Sequence, residues 1–356
     1  MLIVNDIHIG VERMAGTTPT SAQALRGYLL QTYAELIAGH DEVLVNGDLF
    51  DTYNIPLTDL LQAYQISATW LDASQRRKLH LIPGNHCLSK NSMNLSSFEL
   101  MARLLQARFG DRVTYTQGGA WVDEERGLYA ISHVVNQDLL DYEISRVPHE
   151  AKYVFLHANF SNTFAVNSDH SLNVTREQVR DLISRGSTVV FGHEHQGRTL
   201  FSGRLVITGN PRPSSVADCL AHGDGQLDGK KWAMVISPTG DYSMLQTWDR
   251  KDPIYGYDEI DWRDLSGLTE SRKFVRVTGE AEADEAADVI KAIASFRQRS
   301  DAFVITNAVK VSQLADTGEL EVSAEDVRSV NVIDMLLQSL TEEQAATVRQ
   351  LMEKNK

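Results

Sequence analysis

The chain has 356 residues, 42% of them hydrophobic, and a formal net charge of −14 at pH 7. The apolar content excludes wholesale disorder, and the length predicts two folded units or one large domain with an appendage. The negative charge argues against a protein that grips nucleic acid by bulk electrostatics, although it leaves room for a local site. Because the chain has only two cysteines, Cys87 and Cys219, a disulfide framework is also excluded.

Short apolar runs alternate with amphipathic helical patterns in the first half of the chain. This alternation is typical of β–α–β units, whose parallel strands are buried and read as continuous apolar runs. We predict strands at residues 2–4, 43–45, 79–82, 153–156 and 188–191. We predict helices at residues 20–38, 58–72, 98–108 and 175–184. The predicted fold class is therefore α/β.

The pattern changes after about residue 192. The segments that then alternate like antiparallel strands are 199–201, 204–208, 232–236 and 242–248. Strand-like segments at 274–278 and 303–306 flank a helical segment at 280–297, which predicts a small α+β domain. Apolar residues at helical spacing after Ser323 predict C-terminal helices. The predicted domains are 1–250, 251–315 and 316–356.

The first residues lack the basic start and the long apolar run of a secretory signal peptide. The sequence also has no apolar stretch long enough to span a bilayer. These two observations predict a cytoplasmic protein without membrane contact.

Side chains that can bind metal follow five of the predicted strands. Such groups collect there in open α/β sheets, because the carboxyl ends of the strands meet at one edge. The set comprises Asp6, His8, Asp48, Asn85, His157, His193 and His195. Each motif alone is weak, because Gly-Asp and Gly-Asn are ordinary turn sequences and a single histidine is more often structural. The ordered set at five strand ends favours a metal site.

Seven such side chains exceed the needs of one divalent ion. They are enough for two ions about 3.5–4 Å apart, the arrangement that supports in-line displacement at phosphorus. The mixture of imidazole, carboxylate and amide, without thiolate, suits manganese, iron or zinc. We predict two divalent ions, with Mn²⁺ as the first choice and Mg²⁺, Fe or Zn²⁺ as alternatives.

Together these motifs resemble the signature of the calcineurin-like metallophosphoesterases. The matching residues are Asp6-x-His8, Gly47-Asp48, Gly84-Asn85-His86, His157 and Gly192-His193-x-His195. The resemblance covers roughly residues 1–250. It implies a calcineurin-like four-layer α-β-β-α sandwich, followed by a small α+β capping domain and a C-terminal helical tail.

The resemblance also implies a role for each site residue. Asp6, His8 and His195 would hold one ion, Asn85, His157 and His193 would hold the other, and Asp48 would bridge them. His86 would not be a ligand, but would stabilise developing charge or protonate the leaving 3′-oxygen. Asp51 would orient the ligand histidines, as carboxylates often do in metal sites.

Within this superfamily, segments 47–51 and 208–213 resemble the SbcD/Mre-type DNA double-strand-break nucleases. Segments 85–93 and 112–115 resemble the phage members that act in recombination. The implied function is a two-metal DNA nuclease subunit, a 3′→5′ exonuclease with single-strand endonuclease activity, in recombination and double-strand-break repair. The implied partners are DNA, a second copy of the chain, and an SMC-like ATPase of the SbcC/Rad type bound to the C-terminal helices.

The chain departs from the family pattern at two positions. Cys87 stands where most relatives have aspartate, and Asp51 stands where many cellular relatives have a second catalytic histidine.

Two alternative functions remain. The first alternative is a stand-alone phosphodiesterase that acts on small or cyclic nucleotides. The second is a scaffold whose metal site is vestigial. The C-terminal helix has an alternative too, in which its apolar face packs on the capping domain instead of a partner.

Overall fold

The computed structural model describes residues 1–11, 16–88, 94–162, 172–220, 229–268 and 270–312. One compact unit comprises Met1–Ala281 and Glu285–Lys310. The other comprises Glu282–Asp284 and Val311–Lys356, and the predicted C-terminal helices at 316–356 lie outside the described residues. No helix in the described ranges is both long enough and apolar enough to cross a membrane.

The strands and helices of the described residues are as follows. The strands are β1 (Leu2–Val4), β2 (Glu42–Asn46), β3 (Lys78–Ile82), β4 (Val113–Tyr115), β5 (Ala120–Asp123), β6 (Leu128–Ile131), β7 (Tyr153–His157), β8 (Asn159–Phe160), β9 (Asn173–Val174), β10 (Thr188–Gly192), β11 (Arg198–Leu200), β12 (Leu205–Ile207), β13 (Lys230–Ile236), β14 (Tyr242–Asp249), β15 (Tyr257–Asp261), β16 (Phe274–Thr278), β17 (Glu280–Ala281), β18 (Val304–Asn307) and β19 (Lys310–Val311). The α-helices are α1 (Pro19–Ala38), α2 (Leu57–Asp72), α3 (Ser97–Phe109), α4 (Gln137–Ser145), α5 (Arg176–Ser184) and α6 (Ala286–Arg299).

Two six-stranded sheets lie at the centre of the described part of the first unit. The first has the order β14-β13-β1-β2-β3-β4, in which β1 to β4 run parallel and the β13–β14 hairpin pairs antiparallel with β1. The second has the order β11-β12-β10-β7-β6-β5, in which β12, β10, β7 and β6 run parallel. Both sheets are therefore mixed: the parallel strands of the first extend to its β4 edge, and those of the second lie between the antiparallel edge strands β11 and β5.

The two sheets pack face to face, and helices cover their outer faces. Because alternate residues of a strand point to opposite faces, each central strand contributes to two cores. Ile3, Leu44 and Phe155 are fully buried between the sheets. On the outer faces, the first sheet packs against α1 to α3 and the second packs against α4 and α5. The α/β fold class and the α-β-β-α layering are confirmed.

Several helices begin where the sequence supplies a side-chain cap. Thr18 accepts a hydrogen bond from the backbone N–H of Ser21 and precedes a proline at the first position of α1. Thr175 caps α5 and forms a capping box with Gln178. Ser96 caps α3 by accepting from the N–H of Glu99. These three helix starts fall within one residue of the predicted ones.

A small parallel sheet follows the main layers, with the order β15-β16-β18. Val275 and Val277 on one face pack against α6. Phe274 and Phe303 belong to the same buried cluster as the first sheet and its helices, and Phe303 lies 5.2 Å from the ring of Tyr28 on α1. This part of the chain therefore shares a core with the first sheet. The domain boundary at residue 250 stays a prediction.

The secondary structure departs from the predicted pattern in several places. Strand β12 pairs antiparallel with β11 but parallel with β10, because the chain first forms the edge strand β11 and then returns between the two. Helix α6 starts at Ala286 instead of residue 280, since Gly279 (φ 113°) turns the chain and Ala281 is buried within a short strand. The elements that were not predicted are α4 and the strands β4, β5, β6, β8, β9, β15, β17 and β19.

Candidate metal centre

The predicted site residues lie together at the carboxyl ends of five parallel strands. Asp6 and His8 follow β1, Asp48 follows β2, Asn85 and His86 follow β3, His157 ends β7, and His193 and His195 follow β10. The loops are hydrogen-bonded to one another, since the backbone N–H of Asp6 donates to Gly47 and the N–H of His8 donates to Asp48. The strand ends of both sheets thus form one edge with the polar side chains on it.

Asp6, His8 and His195 form the first donor group. Their ligand atoms lie within 4.8 Å of one another. The Nε2 atoms of His8 and His195 are 2.9 Å apart, and His8 Nε2 is 4.0 Å from Asp6 Oδ1. Asp6 and His8 are almost completely buried. These three residues are those of the predicted first ion site, which stays a prediction.

Asp48, His157 and His193 form the second donor group. Asp48 Oδ2 lies 3.0 Å from His157 Nε2. The Oδ1 atom of Asn85 lies 3.2 Å from His157 Nε2 and 3.1 Å from His193 Nδ1, so Asn85 belongs to the same group. Asp6 Oδ1 is 3.8 Å from His157 Nε2, which brings the two groups into contact. All seven predicted ligands therefore converge, while the bridging role of Asp48 stays a prediction.

The donor set fits divalent ions. His195 Nδ1 donates to Asp218 Oδ1 at 2.8 Å, which leaves its Nε2 atom to face a metal. His8 Nδ1 lies 3.2 Å from Asp51 Oδ1 but is a buried nitrogen without a hydrogen-bond partner among the described residues. The Nε2 atoms of His8 and His195, 2.9 Å apart, lie close enough to Asp6 Oδ1 for all three atoms to bind one cation.

Backbone conformation at the site is strained. Positive φ angles occur at Asp6 (54°), His8 (56°), Asp48 (43°) and His193 (85°), where each costs on the order of 1–3 kcal/mol for a residue other than glycine. Hydrogen bonds hold the loops in this shape, including bonds from the N–H of His193 to both carboxylate oxygens of Asp6. The left-handed residues turn their side chains toward the shared centre.

Two glycines make room for the ligands. A Cβ atom on Gly84 would lie 2.3 Å from Asp48 Oδ1 and 2.6 Å from His157 Nε2. A Cβ atom on Gly47, whose φ is 91°, would lie 1.9 Å from His157 Nδ1. Both distances are far below van der Waals contact, so these glycines are required by the packing of the donors.

In the second group, the pKa values of the two imidazoles are shifted in opposite directions. Burial alone would lower the pKa of His157, but the carboxylates of Asp48 and Asp6 outweigh it and raise the pKa to about 9. Burial would raise the pKa of Asp48, but His157 holds it well below its usual range. Burial, assisted by His157, lowers the pKa of His193 to about 4. Without ions, a proton on His157 balances the carboxylates, and a metal would replace it.

His86 lies at the mouth of the site. Its side chain is exposed, and its ring centroid is 5.1 Å from that of His8. Its Nδ1 atom is 2.5 Å from the backbone carbonyl oxygen of Asp51, and its backbone N–H donates to Asp48 Oδ1. His8, Asp51 and His86 thus form a third close group of possible ligands among the described residues.

The family model described as calcineurin-like phosphoesterase matches residues 1–197, which is more than half of the chain. The chain belongs to the calcineurin-like phosphoesterase family. Membership of this family implies a metal-dependent hydrolase, and the described residues include candidate ligand groups for divalent ions. The predicted superfamily is confirmed.

One solved structure that matches the chain is a Staphylococcus aureus protein described as a 5′-nucleotidase, in complex with α-ketoglutarate. It is 10% identical, and the match has a TM-score of 0.33. The match covers 69% of this chain and 52% of that one, so the chain spans about half the length of that structure. No curated protein matches the chain significantly.

Sequence reasoning missed two buried residues of this phosphoesterase that support His195. Asp218 accepts from His195 Nδ1, and its other oxygen accepts from the backbone of Ser214 and Ser215. Burial would raise the pKa of Asp218, but His195 and Lys231 hold it well below its usual range. Burial lowers the pKa of Lys231, whose ammonium donates to the carbonyl oxygen of His195 at 2.8 Å. No sequence motif marks Asp218 or Lys231 as a site residue, because only the fold brings them to His195.

Segment 208–213, which carries part of the nuclease resemblance, lies directly behind the ligands. Thr208 donates to Asn5 Oδ1, and Asn5 donates to Asp6 Oδ2. Asn210 accepts from Lys231. Arg212 instead donates to Glu35 and to Thr32 on α1. The segment therefore fixes the first donor group from behind, and its arginine serves packing between elements.

Proposed function

We propose that this phosphoesterase is a DNA nuclease subunit that hydrolyses phosphodiester bonds with two divalent ions, of which Mn²⁺ is our first choice. The observation that carries the proposal is the convergence of seven ligands beside the exposed imidazole of His86. The proposed activities are 3′→5′ exonuclease and single-strand endonuclease, in recombination and double-strand-break repair.

The seven predicted ligands would hold the two ions that the reaction needs. Two bound ions would supply positive charge to the phosphate and acidity to water. Asp6, His8 and His195 would hold one of them, Asn85, His157 and His193 would hold the other, and Asp48 would serve both. The buried carboxylates and the glycine-lined loops keep these donors in place before substrate arrives. Little reorganisation is then needed in the reaction.

His86 is suited to proton transfer. Its Nδ1–H donates to the carbonyl oxygen of Asp51, so its Nε2 atom is the one left to face a substrate. An imidazole at this position could donate a proton to a leaving 3′-oxygen as a general acid. Cys87 cannot act on this proton, because burial raises the pKa of its thiol to about 12 and the side chain is fully buried.

A DNA substrate is supported by the resemblance of segments 47–51 and 208–213 to SbcD/Mre-type nucleases, and by the support that segment 208–213 gives to the ligands. The net charge of −14 does not oppose it at the site, since two divalent ions add four positive charges there. Arginines away from the site have other partners: Arg103 contacts Glu99, Arg108 contacts Asp72, and Arg112 donates to backbone carbonyl oxygens. In this proposal, DNA is therefore bound mainly by the two ions and by the partner proteins.

The proposed partners are a second copy of the chain and an SMC-like ATPase of the SbcC/Rad type. The ATPase would bind the predicted helices at 316–356, which lie outside the described residues. An apolar helix face near a chain end suits binding in a groove of a partner.

The test is digestion of end-labelled linear duplex DNA with Mn²⁺, with and without the ATPase, beside a chromogenic phosphodiester. We expect the wild type to degrade the duplex, and the variants Asp48→Asn and His86→Ala to lose that activity. His149→Ala replaces an exposed histidine in a turn and is the matched control. Full duplex activity in Asp48→Asn would contradict the mechanism. Turnover of the chromogenic diester without any DNA cleavage would favour the small-substrate alternative, and Mn²⁺ content near zero would favour a scaffold.

A further inference from the structure

The two donor groups differ in what stands behind their histidines. In the first group, His195 Nδ1 donates to the carboxylate of Asp218 at 2.8 Å, and His8 Nδ1 lies 3.2 Å from the carboxylate of Asp51 without a hydrogen bond to it. In the second group, His157 places Nδ1 against a neutral oxygen, the carbonyl oxygen of Asn46, at 3.0 Å. A carboxylate behind a ligand histidine raises its basicity and fixes its tautomer.

Asp218 is held more firmly than an ordinary buried aspartate. It is 5% exposed, and its Oδ2 atom accepts from the backbone N–H of Ser214, from the Ser214 hydroxyl and from the backbone N–H of Ser215, at 2.9 to 3.0 Å. Its Oδ1 atom is left for His195 at 2.8 Å. Both oxygens are thus assigned by the fold, and the one facing His195 can only accept a proton.

Lys231 completes this arrangement from strand β13. Its side chain is buried, and Nζ donates to the carbonyl oxygen of His195 at 2.8 Å and to Asn210 Oδ1 at 2.7 Å. The ammonium offsets the buried charge of Asp218 and ties the backbone of His195 to the neighbouring sheet. The ring and the backbone of this histidine are therefore both fixed by charged residues.

We propose that Asp218 is a positioning residue that holds His195 with its proton on Nδ1 and thereby sets the metal affinity of the Asp6–His8–His195 group, without acting on the Asp48–His157–His193 group. The proposal rests on the two-ion site of the proposed function, but it requires nothing of the DNA substrate.

The variant Asp218→Asn tests it because the fold dictates how the amide will lie. Two fixed backbone N–H groups require the amide oxygen on their side, so the amide NH₂ faces His195 Nδ1. That nitrogen must then accept, which moves the ring proton to Nε2, the atom that faces His8. The proton would occupy the position of the metal.

The readout is Mn²⁺ affinity of the full chain, measured by electron paramagnetic resonance in two backgrounds. His193→Ala keeps the first donor group, and His195→Ala keeps the second. We expect Asp218→Asn to weaken Mn²⁺ binding about 10- to 100-fold in the His193→Ala background and by less than about 2-fold in the His195→Ala background. Nitrogen-15 spectra of the imidazoles should show the changed tautomer of one histidine. Asp111→Asn, at an exposed aspartate, is the matched control and should change neither affinity.

Equal weakening in both backgrounds would show a general structural role and overturn the proposal, as would unchanged binding in both. If Asp218→Asn does not fold, Ser214→Ala removes one donor to Asp218 and should weaken Mn²⁺ binding about 5-fold in the His193→Ala background alone. Both results are independent of DNA cleavage. A chain that binds Mn²⁺ as described but leaves DNA intact would therefore contradict the proposed function and not this inference.

Discussion

The Nδ1 atom of His86 lies 2.5 Å from the backbone carbonyl oxygen of Asp51. The carboxylate of the same residue lies 3.2 Å from Nδ1 of His8. Asp51 thus orients the predicted proton donor through its backbone, and its side chain lies beside a predicted metal ligand. Because a substitution removes only the side chain, the two roles can be separated experimentally.

His86→Ala should lower kcat by about 10²- to 10⁴-fold, the usual contribution of a general acid. The affinity for Mn²⁺ should change by less than about 2-fold, since His86 is outside both donor groups. Steady-state kinetics and Mn²⁺ titration measure the two quantities. A variant that retained full kcat would exclude His86 from proton transfer.

Asp51→Ala should change the Mn²⁺ affinity, which His86→Ala leaves unchanged. Loss of the carboxylate behind His8 should weaken Mn²⁺ binding about 10-fold. At saturating Mn²⁺ the pH profile of kcat should keep the shape of the wild-type profile, because the carbonyl oxygen that holds His86 remains. Should the profile change shape while Mn²⁺ affinity stays the same, the assignment of roles to Asp51 would be wrong.

Gly84→Ala should abolish Mn²⁺ binding at the second donor group. The added Cβ atom would lie 2.3 Å from Asp48 Oδ1 and 2.6 Å from His157 Nε2, and neither neighbour can move without leaving its hydrogen bonds. Gly27→Ala is the control, because Gly27 lies in α1 with open space around its Cα. That substitution should raise the free energy of unfolding by about 0.5–1 kcal/mol. Isothermal titration with Mn²⁺ and urea denaturation compare the two variants.

Glu42→Gln should reduce stability in a pH-dependent way. Burial would raise the pKa of Glu42, but hydrogen bonds from His80 and Arg126 outweigh it and hold the pKa well below its usual range. A depressed pKa in the folded state stabilises the fold above the ordinary carboxyl pKa of about 4.3, and this stabilisation is lost as the pH falls. Arg126 lies between β5 and β6, so the pair joins the two main sheets.

We expect Glu42→Gln to lower the free energy of unfolding by about 1–2 kcal/mol at pH 7, a value reduced for the partial exposure of Arg126. The difference from the wild type should shrink below about pH 4. Glu259→Gln breaks a more exposed pair with Arg276 and should cost no more than about 0.5 kcal/mol. Denaturation at several pH values measures both variants. A loss for Glu42→Gln that did not vary with pH would contradict the electrostatic explanation.

The sequence predicted the central strands well, and the physical reason is burial. Strands such as β1 and β10 are covered on both faces, so they appear as apolar runs whose ends are marked by polar residues. The loops that follow carry residues with few other reasons to occur together. Seven side chains from five loops were therefore found without knowledge of their distances.

The remaining features depend on contacts that sequence spacing does not encode. Asp218 lies in a serine-rich turn and reaches His195 only because the chain folds back behind β10. Lys231 is a lysine at the start of a strand, where exposure would be the ordinary expectation, yet it is buried. The left-handed backbone at His8 and His193 likewise results from the hydrogen bonds between loops.

The pairing of β13 with β1 sets a minimum length for an autonomous catalytic fragment. The family match ends at residue 197, but Leu2 and Ile3 pair with Val235 and Met234. A truncation near residue 197 would leave β1 as an unprotected sheet edge prone to aggregation, and would remove both Asp218 and Lys231 from His195. An active fragment should therefore extend at least through Asp249, where the β13–β14 hairpin is complete.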